Sequence, residues 1–125
     1  MSSPVELLAA AKQICSIADD EAMRRAAINR LYFSSFHLCG EYHRGLPLPG
    51  SVGVKRGRHE QLIAQLLNPD PKLLANDKNR SVMIGKELRM LAAKRVDADY
   101  NCQIAISSRD MELAQQATDL IFANA

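Results

Sequence analysis

From Pro4 onward, Val5, Leu7, Leu8, Ala11, Ile14, Cys15 and Ile17 keep the three- and four-residue spacing of one helix face. Pro4 suits a first-turn position, where its missing N–H removes no hydrogen bond. The pattern predicts a first helix over roughly 4 to 18. Asp19 and Asp20 then offer a cap, and a broad stripe of Ala22, Met23, Ala26, Ala27, Leu31, Phe33, Ser34, Leu38 and Tyr42 carries a long second helix to about His43. Between Gly45 and Gly53, prolines and glycines are dense enough to exclude regular structure, which predicts a surface loop at about 45–57, the one loop long enough to be mobile. Leu62, Ile63, Leu66 and Leu67 predict a short third helix, stopped by Asn68-Pro69-Asp70-Pro71. A fourth helix begins near Asp77 and runs through Val82, Met83, Leu88, Leu91, Ala92 and Val96 to about Ala98, with Gly85 a weak point inside it. Ser107-Ser108-Arg109-Asp110 predicts the start of a last helix, because a serine cap with an acidic residue three positions on satisfies free backbone donors. Met111, Ala114, Ala117, Leu120, Ile121 and Phe122 give that helix a buried face. Without strand-like alternation or an internal repeat, the expected fold is all-α: an antiparallel up-and-down bundle of four main helices plus a short one.

Composition narrows the picture. The 125 residues suit one core, so a single domain over 1–125 is expected. A hydrophobic fraction of 47% and a charged fraction of 24% exclude a disordered or fibrous chain. A formal net charge of +2 is too small to signal nucleic-acid binding by itself, so local clusters must decide. Cys15, Cys39 and Cys102 are odd in number and lie in apolar stretches, the pattern of reduced, buried thiols; no pair forms a CxxC, and no metal site is expected. The N-terminus lacks a basic region followed by an apolar run, and no stretch approaches the ~18 apolar residues of a membrane span, which makes a cytoplasmic location the default expectation. Glycine-rich phosphate loops, metalloprotease histidine pairs and hydrolase serine motifs are absent from the sequence, and no cofactor is expected.

Candidate chemistry concentrates on the second helix. Arg30 and His37 are seven residues apart, close to two turns, so they share a face with their Cα atoms about 10 Å apart along the axis. One phosphodiester is within reach of both. Metal-free RNA cleavage needs a base for the ribose 2′-hydroxyl, an acid for the leaving oxygen and a cation for the charge developing at phosphorus. Imidazole suits the first two tasks and the guanidinium fork the last. A structural reading stands beside this one. His37, between Phe36 and Leu38, also fits a core or interface histidine, and Arg30 is open to pairing with Asp99 or another carboxylate. Arg95 and Asp99, four residues apart, read first as an ion pair. Lys55, Arg56, Arg58 and His59 form the densest basic cluster, at a helix start where free amides and the helix dipole also favour an anion; a solvated basic loop is the alternative. Lys86, Arg89, Lys94 and Arg95 make a second candidate surface. Tyr32, Phe33 and Phe36 read as core rather than as a base-stacking platform.

The run Ile28-Asn29-Arg30-Leu31-Tyr32-Phe33-Ser34-Ser35-Phe36-His37 resembles the arginine, paired-aromatic, small-residue, Phe-His signature of one branch of the HEPN family. His59 with Leu62 and Ile63 is similar to the family's short histidine-led helix. Leu88-x-x-Leu91-x-x-x-Arg95-x-x-Ala98-Asp99-Tyr100 resembles its leucine, arginine and Ala-Asp-Tyr ending. Phe33 stands where the family's usual second aromatic is tyrosine, and Tyr100 stands where nuclease members carry a histidine after the arginine. The resemblance implies a helical module acting on RNA, as a metal-independent endoribonuclease or as a degenerate relative that only binds, with Arg95, Asp99 and Tyr100 supporting Arg30 and His37. It also implies a homodimer with two copies of the motif meeting across the interface, a toxin or phage-defence role, and an antitoxin or nucleotidyltransferase as partner protein. The rival expectation is a non-catalytic interaction module in which the same polar residues fix a dimer, dock a protein or bind a nucleotide.

Overall fold

The computed structural model describes residues 2–53 and 57–125. These residues form five helices: α1 (Pro4–Ile17), α2 (Glu21–Arg44), α3 (Gly57–Leu67), α4 (Ala75–Tyr100) and α5 (Ser108–Asn124). The chain is an all-α helical bundle. Each expected helix is present, and α4 starts two residues earlier than the apolar pattern suggests, at Ala75 rather than Asp77, and continues to Tyr100.

The caps explain the boundaries. Ser3 and Glu6 form a capping box at the start of α1, with Pro4 in its first turn. The Asp20 carboxylate accepts from the Met23 N–H at 2.8 Å and opens α2. Ser107 and Asp110 close a second capping box at α5, as the sequence predicts. α4 has no side-chain cap; its N-cap position is Leu74.

α2 lies at the centre, packed against α1, α4 and α5, while α3 leans on α4. The core collects Ala11 from α1, Ala27, Ile28, Leu31 and Cys39 from α2, Leu66 from α3, Ile84, Leu88 and Leu91 from α4, and Ala114, Ala117 and Ile121 from α5. Hydroxyls buried in this core are paired: Ser34 donates to Leu31 O, Thr118 to Ala114 O, and Ser81 of α4 to Leu66 O at 2.7 Å. The last bond fixes α3 to α4. Gly85 sits at the same contact, where an added Cβ would stand 3.0 Å from Leu66 Cβ and 3.1 Å from Leu67 Cδ2. The glycine that weakens the helix in isolation is thus the point at which α3 approaches closely.

Several expectations change. Val5, Ile17, Val96 and Leu120 belong to the apolar stripes but are exposed. Cys102 is exposed in the segment after α4, unlike the buried Cys15 and Cys39, because α4 has already ended at Tyr100. The expected mobile loop is partly held: Gly50 is buried with its Cα close to the Gln65 and Asn68 carbonyls. No helix among the described residues is long and apolar enough to cross a membrane.

Candidate functional site

Arg30, Phe33 and His37 lie along one face of α2, and the structure joins the two candidate chemical groups through the ring between them. The Arg30 guanidinium carbon lies 4.7 Å from the Phe33 ring centre, and the His37 ring meets the same ring edge-on at 4.4 Å. Phe33 is therefore not core: it is 37% exposed and serves as the spacer of the pair. A stripe position at the margin of the buried face cannot be told from an interior one by period alone.

A second group gathers behind it. Tyr32, only 3% exposed, shares a 2.6 Å hydrogen bond with His59 Nδ1. The His59 ring stacks on Phe36 at 4.3 Å, and Phe36 also touches His37 at 5.6 Å. Two imidazoles thus flank one phenyl ring, although 22 residues of chain separate them (59 − 37). Partial burial of the ring, and then the nearby positive charges of Arg95 and Arg58 and the neighbouring His37, hold the His59 pKa below the ordinary 6.5. Burial pushes the Tyr32 phenol up to about 12, so it remains protonated at neutral pH.

α4 supplies the third side. Arg95 pairs with Asp99 at 3.0 Å, as the four-residue spacing predicts. Its guanidinium also lies between two rings, 5.6 Å from Tyr32 and 5.5 Å from Tyr100. Asp99 does more than neutralise Arg95. It accepts from Asn29 Nδ2 at 2.8 Å, while Asn29 Oδ1 accepts from Arg30 Nε at 2.8 Å and Nη2 at 2.6 Å. The alternative of an Arg30–Asp99 pair is realised only at one remove, with Asn29 as the bridge. Arg30, Asn29, Asp99 and Arg95 make one hydrogen-bonded chain between α2 and α4.

Of the basic cluster, Arg58 and His59 are exposed in the first turn of α3, and Lys55 and Arg56 lie outside the described residues. The second basic surface divides. Lys94 pairs with Asp110 at 3.3 Å and Arg95 with Asp99, whereas Lys86 and Arg89 are exposed. Among the described residues no group of three or more His, Cys, Asp and Glu side chains could hold a metal ion.

A cavity opens beside this site, between α2 and α3. Its volume is about 670 Å³, and Phe36, His37, Gly40, His43, Arg44, Arg58, Gln61, Leu62 and Gln65 are among its lining residues. Sequence reading left out Gly40, His43 and Arg44. One signal could have found Arg44, since Arg30, His37 and Arg44 recur every seven residues along α2. His43 is 7% exposed, and its Nε2 has no hydrogen-bond partner among the described residues.

No family model, curated protein or solved structure matches the chain.

Proposed function

We propose that this chain acts on RNA, and that the Arg30–His37 face is the site of a metal-independent endoribonuclease of the HEPN type. The observation that carries the reading is the assembly of two imidazoles, His37 and His59, and two guanidinium groups, Arg30 and Arg95, around the Tyr32–Phe33–Phe36 cluster. His37 takes the ribose 2′-hydroxyl proton. His59 returns a proton to the leaving oxygen, directly or through solvent. Arg30 meets the charge that develops on the phosphorane oxygens. Arg95, Asp99 and Tyr100 hold the geometry: Asp99 fixes Asn29, which in turn fixes the Arg30 fork. Arg58 adds a phosphate contact from α3, joined in the proposal by Lys55 and Arg56.

Catalysis of this kind conserves atoms without water in the first step. The 2′-oxygen bonds to phosphorus, the P–O5′ bond breaks, and the 5′-oxygen leaves with a proton, giving a 2′,3′-cyclic phosphate. Purified protein incubated with mixed RNA in a chelator should therefore leave cyclic-phosphate ends, while a His37→Ala preparation leaves the RNA intact. Cleavage by both preparations alike would remove His37 from the mechanism.

A second reading has its own support. Phe33, Val96 and Tyr100, 37%, 43% and 69% exposed, put apolar surface on the two helices that carry the site. Surface of this kind suits an interface. In that reading the module is catalytically silent, dimerises, and docks a partner such as an antitoxin or a nucleotidyltransferase or binds a nucleotide. A toxin–antitoxin or phage-defence role rests on the HEPN resemblance. RNA left intact by folded protein would favour this second reading.

A further inference from the structure

We infer that the cleft between α2 and α3 is a subsite that seats one unpaired nucleotide next to the Arg30–His37 face; this rests on the RNA-acting reading. Position is the first argument. Phe36 and His37 line both the site and the cleft, and Arg44 lies one heptad beyond His37 on the same helix. A strand whose phosphate is held at Arg30 and His37 therefore has its next unit at the cleft mouth.

Chemistry is the second. Arg44 and Arg58 bring positive charge to the walls, His37 and His43 bring imidazoles, and no carboxylate is among the described lining residues. An anion is favoured there. Yet about 670 Å³ is far more than a bare phosphate fills, and the rest of the lining is suited to a base: Phe36 and Leu62 for its apolar body, the Gln65 amide for its polar edge. A base within a duplex is stacked and paired on both sides and cannot enter a concavity between helices, whereas an unpaired base can be splayed into it.

Gly40 is the third argument. It occupies the interior of α2, where glycine costs about 1 kcal/mol relative to alanine. No packed neighbour demands it: the nearest atoms to an added Cβ all belong to the flexible Arg44 guanidinium, the closest at 3.1 Å. What the missing side chain provides is room in the cleft and a place for Arg44 along its wall.

The test measures binding of a labelled 2′-O-methyl oligonucleotide, which cannot be cleaved through its 2′-oxygen, alone and annealed to its complement. Parent protein should bind the single strand about tenfold more tightly than the duplex, and free uridine monophosphate should compete. Gly40→Leu, which fills the cleft, and Arg58→Glu on the exposed start of α3 should each weaken single-strand binding about tenfold while circular dichroism stays that of the parent. Equal affinity for both forms, or parent-like single-strand binding by folded Gly40→Leu, overturns the subsite and leaves the RNA-acting reading in place. If Gly40→Leu fails to fold, the comparison of single strand with duplex on the parent protein carries the decision. Should the parent bind neither strand but bind uridine monophosphate, and lose it in Gly40→Leu, the RNA-acting reading falls and the strand assignment with it, leaving a site for the free nucleotide.

Discussion

Phe33 sits at the margin of the core, so its role in the proposed site can be measured apart from its contribution to stability. Its ring carries Arg30 on one face and His37 at one edge, but it is 37% exposed and gives little to the core. Phe33→Ala should therefore cost only about 1 kcal/mol in urea unfolding while lowering the proposed RNA cleavage tenfold or more, because both chemical groups lose their common support. A variant as active as the parent would remove the spacer role. The histidines make a prediction about pH. In the folded chain both His43 and His59 are held below the ordinary 6.5, His43 by burial first and by the Arg44 charge, partly offset by a hydrogen bond with the Gly50 backbone. The unfolded chain then binds more protons between those lowered values and 6.5, so stability is fully present above about pH 6.5 and declines as pH falls below it. Glu6 and Asp110, lowered from 4.5 and 3.8, act only further down. Urea midpoints should fall between about pH 7.5 and about pH 5.5, and His43→Gln should narrow that difference. Identical slopes for parent and variant would place the effect elsewhere.

At the scale of elements, one arginine closes the C-terminus of α4. The Arg25 side chain is 14% exposed; it pairs with Glu21 at 2.7 Å and donates to the carbonyls of Asp97 at 3.0 Å, Ala98 at 3.1 Å, Asn101 at 3.3 Å, Cys102 at 3.4 Å and Ile104. Arg24 adds a 2.9 Å bond to Ile106 O. These donors satisfy the carbonyls that a helix end leaves free, and they fold the 101–106 segment against α2. Arg25→Ala should cost about 2–3 kcal/mol and speed amide exchange across 97–106 ahead of the rest of the chain. Exchange raised uniformly would mean that the segment has no separate dependence on Arg25. The two mid-helix glycines should respond in opposite directions. Gly85→Ala gains helix propensity but pushes a Cβ onto Leu66 and Leu67, which the Ser81–Leu66 bond holds in place, so Tm should fall. Gly40→Ala meets only a movable guanidinium, and Tm should rise. A rise for both would show α3 free to shift away from α4.

Across the whole molecule, what the sequence made legible was local and what it hid was long-range. The capping boxes at Ser3 and Ser107 join residues three apart, and the Arg95–Asp99 pair joins residues four apart, so spacing alone exposes them. The Asn29–Asp99 bridge and the Arg25 cap span 70 to 79 residues and depend on how α2 meets α4, which no period encodes. The cleft is hidden for the same reason, since it exists only where α3 is held off α2 by its packing on α4. The same placement bears on assembly. Arg30 is exposed on α2, beside the exposed Phe33, and Val96 and Tyr100 are exposed on the neighbouring α4. A second copy seated on these residues would bury apolar surface, exclude water from the Arg30–His37 pair and strengthen its electrostatics. Light scattering should then give the mass of two chains, and Phe33→Glu should give one, with RNA cleavage falling in parallel. A Phe33→Glu monomer that cleaves as well as the parent would show that one chain holds the complete site, whereas a parent already monomeric at working concentration would confine the proposed acid–base roles to His37 and His59 of a single chain.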